Sequence, residues 1–173
     1  EVLTLMKAEW LGGQPLLAGA ALFCGYYLNE LLMHLLPRED AHEKLFARYV
    51  EMLSRLAEDT GTGEREADLR CFEKALLQEL GYGLTLKHDS AGLEIIPAAH
   101  YTYRMELGPV RLEHSGGAAQ VVCGKTLLDL AVEDFSDPRS RGEAKQLMRT
   151  LMAYYLGGKE LETRRIFKEL QDQ

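Results

Sequence analysis

The stretch NELLMHLLPREDAHEK at residues 29–44 sets Glu30, His34 and His42 close together in the chain. A carboxylate and two imidazoles are side chains from which a hydrolytic metal site can be built. Glu30 and His34 are four apart and would share a helix face, as paired ligands do. Pro37, however, divides them from His42, and no HExxH or dense Cys/His spacing adds a further ligand. The preferred reading gives His34 to the end of one helix, where a cation suits the dipole, and His42 to the first turn of the next. A metal-dependent hydrolase using Glu30, His34 and His42 stands as the alternative.

Three other constellations could do chemistry. In LKHDSAG, His88 and Asp89 could act as a base pair, but no nucleophile on a glycine-rich turn accompanies them, and a turn with a solvated aspartate is the simpler reading. Lys145, Arg149, Lys159, Arg164 and Arg165 form a basic C-terminal set. Lys145 and Arg149 share a helix face, and the set would bind phosphate if its members converge on one surface; otherwise it is a solvated face partly neutralised by Glu160 and Glu162. Arg70, beside Leu69 on an amphipathic segment, could fork onto a peptide carboxylate, snorkel, or pair with Glu66 or Glu73. No GxSxG, GxxxxGK[ST] or GxGxxG motif is present, so no enzyme is expected.

Net charge is −7 and uneven along the chain. Residues 141–173 hold seven Lys and Arg against five Asp and Glu, whereas the first 140 hold 13 against 22, so affinity for a polyanion should concentrate at the C-terminal end. No apolar run approaches the roughly 18–20 residues that span a bilayer, and a cytoplasmic, membrane-free protein is expected. The three cysteines, Cys24, Cys71 and Cys123, are dispersed among apolar neighbours and read as reduced packing residues.

The elements that must position these residues are mostly helical. Residues 1–9 have a strand-like alternation. An apolar segment from Leu16 to Leu36, after Pro15 and before Pro37, reads as a helix buried on most faces. Asp40 and Glu43 have capping-box spacing ahead of a second, amphipathic helix, and Leu69, Phe72, Leu76, Leu77 and Leu80 mark a third that ends at Gly81. From Leu84 to Val122 the period shortens, giving strand candidates LTLKH, LEII, YTYRME, VRLE and AQVV. Helical signals resume at Thr126, and Ser140 with Glu143 repeats the capping-box spacing before a helix closed by Gly157 and a last one over LETRRIFKELQ. The expected class is mainly α: a small helical bundle with a short β-rich insertion and an N-terminal remnant strand.

Three phrases carry a resemblance: YLNELLMHLLPREDAHEKLFARY at 27–49, LRCFEKALLQELGYGL at 69–84 and AKQLMRTLMAYYLGGKELETRRIF at 144–167. In this order they resemble the RecO family of bacterial recombination mediators over nearly the whole chain. The resemblance implies DNA recombination and repair: a protein that binds the acidic C-terminal tail of single-stranded DNA-binding protein, acts with RecR to load RecA on single-stranded DNA, and anneals complementary strands without a catalytic centre. It divides the chain into 1–9, the last strand of an OB-fold domain otherwise absent here; 10–83, the first part of a helical domain; 84–125, the β-rich insertion; and 126–173, the rest of the helical domain. Some members hold a four-cysteine zinc site in the insertion. This chain has Asp89 at or near a ligand position and Cys123 standing alone, so no zinc or other cofactor is expected. The resemblance also suggests Arg70 as the clamp for the tail, with Leu69, Leu76 and Leu77 forming its apolar pocket, and Lys145, Arg149, Lys159, Arg164 and Arg165 as phosphate contacts.

Overall fold

The computed structural model describes residues 4, 6–9, 13, 16–58, 61–113 and 120–171, the side chains of 167, 168, 170 and 171 excepted. Within them run α1 (Gly19–Leu35), α2 (Glu43–Ala57), α3 (Thr62–Glu79), β1 (His100–Arg104), β2 (Gly108–Arg111), β3 (Val122–Cys123), α4 (Gly124–Val132), α5 (Pro138–Tyr155) and α6 (Glu162–Gln171). The mainly α class is therefore observed, with a small antiparallel sheet of order β2-β1-β3. Of the strand expected at residues 1–9, Thr4 and residues 6–9 are described and are in no sheet; the other positions, like Pro15, lie outside the described residues.

Periodicity explains the bundle. Leu28 and Leu31 of α1, Met52 and Leu56 of α2, Phe72, Leu76 and Leu77 of α3, Leu130 of α4, and Leu147, Met148 and Leu151 of α5 form one core. Tyr101, Val122, Leu86 and Ile95 of the insertion join that same core. α1 is less enclosed than its unbroken apolar sequence suggests: Leu22, Tyr26 and Met33 are exposed at helical spacing along one face.

The helix ends differ from the capping-box expectation. α2 has His42 at its N-cap without any side-chain cap bond, so Asp40 and Glu43 form no box. α5 is capped by Asp137, whose side chain accepts from the Arg139 N–H, followed by Pro138. Ser140 and Glu143 are spent on tertiary bonds instead: Ser140 Oγ donates to Asp129 at 2.6 Å, while Glu143 accepts from the Cys123 N–H at 2.8 Å and from Thr126 Oγ1 at 2.7 Å. That carboxylate fastens α5 to the start of α4. Gly124 makes the junction possible, because a Cβ there would lie 2.0 Å from the Ile96 carbonyl oxygen.

In the insertion, LTLKH and LEII form no strands beyond a bridge between His88 and Glu94. A tight turn joins them. Asp89 is buried, not solvated, and its Oδ1 accepts the N–H groups of Ala91 and Leu93, both at 2.9 Å. The aspartate thus ties the turn to itself through its carboxylate. Cys24, Cys71 and Cys123 are free and partly buried. Burial, together with Glu133 nearby, pushes the Cys71 thiol up to about 12, where it stays protonated.

Candidate anion-binding site

Two glycines with left-handed backbone, Gly157 (φ 64°) and Gly158 (φ 75°), end α5 and turn the chain. The Gly157 N–H bonds to Tyr154 O at 2.9 Å and the Gly158 N–H to Ala153 O at 3.0 Å, which is the Schellman pattern. The chain then returns past Leu161, 1% exposed, into α6. This turn brings Arg149 of α5, Lys159 of the link and Arg164 of α6 around one concavity of about 200 Å³. Leu156 and Leu161 give it an apolar floor, and Ala153, Gly158 and Glu160 complete the lining.

α1 holds α6, the helix that carries Arg164. Glu30 accepts the Glu162 N–H at 2.7 Å, the Thr163 N–H at 3.1 Å and Thr163 Oγ1 at 2.6 Å, so it caps α6 from another helix. Burial opposes ionisation of Glu30, but these bonds outweigh it and hold the carboxyl below its ordinary pKa. Beside it, the Arg164 guanidinium carbon stands 5.7 Å from the centroid of the Tyr27 ring.

The basic set therefore divides. Arg149, Lys159 and Arg164 converge, and among the described residues no carboxylate lies within ion-pair distance of them. Lys145 donates to Glu66 at 2.5 Å, and Arg165 is engaged by Glu162 at 2.5 Å through Nη2 and 3.1 Å through Nε. A concavity carrying net positive charge over apolar groups can take a phosphate or carboxylate and exclude part of its water. A second hollow, between α2 and α3, contains Arg48 and Arg55 but also Asp68 and Glu133, to which those arginines are paired. Its charges offset one another.

Arg70 is placed inside the bundle, 7% exposed. Its Nη2 donates to Glu73 Oε1 at 2.6 Å, and that oxygen also accepts from Tyr27 Oη at 2.5 Å. Glu73 is fully covered. Desolvation drives its pKa upward against the opposing charge of Arg70. Of the apolar residues grouped with Arg70, Leu76 and Leu77 have no exposed surface, and Leu69 is partly buried against the core.

Glu30, His34 and His42 are not gathered. Glu30 faces α6, His34 stands 4.0 Å from it, and His42 lies against Asp40 and Glu79 at 3.5 and 3.7 Å. Among the described residues no group of three or more His, Cys, Asp or Glu could hold a metal ion. Sequence reasoning missed the parts played by Tyr27 and Glu30, because both act on α6 across more than 130 intervening residues. The pairing of Arg70 with Glu73 did have a local signal in its i, i+3 spacing.

Comparison with known proteins agrees with the resemblance. The family described as "Recombination protein O C terminal" matches residues 17–165. A DNA repair protein RecO from Dechloromonas aromatica (strain RCB) is 76% identical over 172 residues, covering 99% of this chain and 71% of that protein. Proteins of the same name from Aromatoleum aromaticum and Azoarcus sp. (strain BH72) are 51% and 49% identical over 99% and 98% of the chain, and 71% and 70% of their own lengths. With most of the chain matched by the family and its helical fold observed, the chain belongs to the RecO family of DNA-repair recombination proteins.

Proposed function

We propose that this chain is the helical part of a recombination mediator that binds DNA and the acidic tail of single-stranded DNA-binding protein, acts with RecR to load RecA, anneals complementary strands and uses no catalytic centre. The observation that carries the DNA contact is the convergence of Arg149, Lys159 and Arg164 on one concavity, where Glu160 is the one acidic residue of the lining and, among the described residues, forms no ion pair with them. Three cations around one concavity give a phosphate chain a local positive field that the acidic remainder lacks. Replacing Arg149 and Lys159 together by alanine leaves the core untouched, since both side chains are exposed. A labelled single-stranded oligonucleotide should bind this variant several-fold more weakly at low salt than the unaltered chain. Equal affinity would remove the concavity from the DNA surface.

For the tail, Arg70 with Leu69, Leu76 and Leu77 remains the proposed seat, and the fold attaches a condition to it. Glu73 must yield Arg70 to the incoming carboxylate, and the cover over Leu76 and Leu77 must open. The double replacement Arg70→Met with Glu73→Gln removes both charges together and so leaves no buried charge unpaired. Titration with a peptide carrying the acidic tail should show a loss of roughly 1–3 kcal/mol, the scale of a charged hydrogen bond. An unchanged affinity would take Arg70 out of the tail site.

A further inference from the structure

Arg164 differs from the other two cations of the concavity in having something beneath it. Arg149 and Lys159 project from α5 and the link into solvent, whereas Arg164 is half-buried with its guanidinium over the Tyr27 ring, within the distance of about 6 Å at which a cation is drawn to a ring face. The ring is itself fixed. Tyr27 is buried on α1, and its hydroxyl donates at 2.5 Å to Glu73 Oε1, the oxygen that Arg70 holds at 2.6 Å.

The other oxygen of that carboxylate, Oε2, is buried without a hydrogen-bond partner among the described residues. A buried carboxylate with one open oxygen retains negative potential, and Arg164 is a second cation, beside Arg70, whose field reaches it. The ring face therefore draws Arg164 toward α1, and the Glu73 carboxylate behind the ring adds a longer-range attraction. A long arginine free in solvent loses its rotamer freedom when it engages an anion; one already held loses less.

We propose that Tyr27 is a positioning residue of the anion site: its ring, fixed by the Glu73–Arg70 pair, presents Arg164 to the concavity. The inference rests on reading Arg149, Lys159 and Arg164 as that site. Arg70, in this account, contributes to anion binding at a distance, through Glu73 and Tyr27, without touching the ligand at this concavity.

The test is a double-mutant cycle read with a fluorescent single-stranded oligonucleotide at low salt, with circular dichroism to verify folding. Tyr27→Leu should weaken binding roughly three- to tenfold, the range of a cation–ring contact that is partly desolvated. Tyr27→Phe keeps the ring and should lose less. On the Arg164→Ala background, Tyr27→Leu should cause no further loss, because the side chain it positions is gone. The salt dependence of binding should also be shallower for Tyr27→Leu, as for Arg164→Ala. Should Tyr27→Leu fail to fold, Tyr27→Met fills more of the space and carries the same expectations.

An equal loss on both backgrounds, or wild-type affinity in Tyr27→Leu while Arg164→Ala binds weakly, overturns the positioning role. If Arg149→Ala and Arg164→Ala both bind as the unaltered chain does, the anion site itself is refuted, and the role of Tyr27 with it.

Discussion

Arg149 and Lys145 stand one turn apart on α5 with the same charge, and the fold gives them opposite parts. Lys145 is taken by Glu66 from α3, whereas Arg149 opens onto the concavity. Arg165 and Arg164 are adjacent and divide the same way, the first held by Glu162 and the second facing the concavity. A cation already paired gains less from a phosphate, because it must first give up its partner. Arg149→Ala should therefore lower oligonucleotide affinity more than Lys145→Ala or Arg165→Ala, and equal losses for all three in parallel titrations would contradict this. The residue types and their helical spacing were readable in the sequence. Which of them the neighbours neutralise was not, because Glu66 lies 79 positions from Lys145.

At the scale of elements, α6 is held at its first turn by a carboxylate from α1. Glu30→Ala should cost about 0.5–2 kcal/mol of stability, the range of a lost N-cap, measured by thermal or denaturant unfolding. The pH dependence has a definite sign. Glu30 has a folded-state pKa below its ordinary 4.5, so its contribution is fully present above that value and is lost as pH falls through the depressed folded pKa. The gap between the two proteins should narrow on acidification, and a gap that is constant across that window would show that Glu30 is not acting as an ionised cap. In the insertion, Asp89→Ala should remove protection from exchange at the Ala91 and Leu93 amides, whose acceptor it is. Unchanged exchange there would mean that the turn holds without its carboxylate. The helices of the core were legible from apolar periodicity alone, as α3 with Phe72, Leu76 and Leu77 illustrates. Their caps were not, because Ser140, Glu143 and Glu30 bond to distant partners, whereas Asp137 caps its own helix. The pairs LTLKH and LEII have strand composition, but the Asp89 turn leaves them one bridge.

Across the whole molecule, an acidic chain of net charge −7 presents a small positive hollow at its C-terminal end. The charge imbalance along the sequence pointed to that end, and the family resemblance pointed to DNA. Neither revealed that α1, through Tyr27 and Glu30, contacts the helix that carries Arg164, since helix-to-helix placement is set by core packing and not by any local motif. If Arg149, Lys159 and Arg164 meet phosphate as proposed, the salt dependence of single-strand binding reads out their contacts. Each cation that meets a phosphate contributes about 0.7 to the slope of log affinity against log salt. Replacing Arg149 and Lys159 by alanine should then make the slope shallower by roughly 1.4, with weaker binding throughout the low-salt range. A slope and affinity equal to those of the unaltered chain would contradict the account.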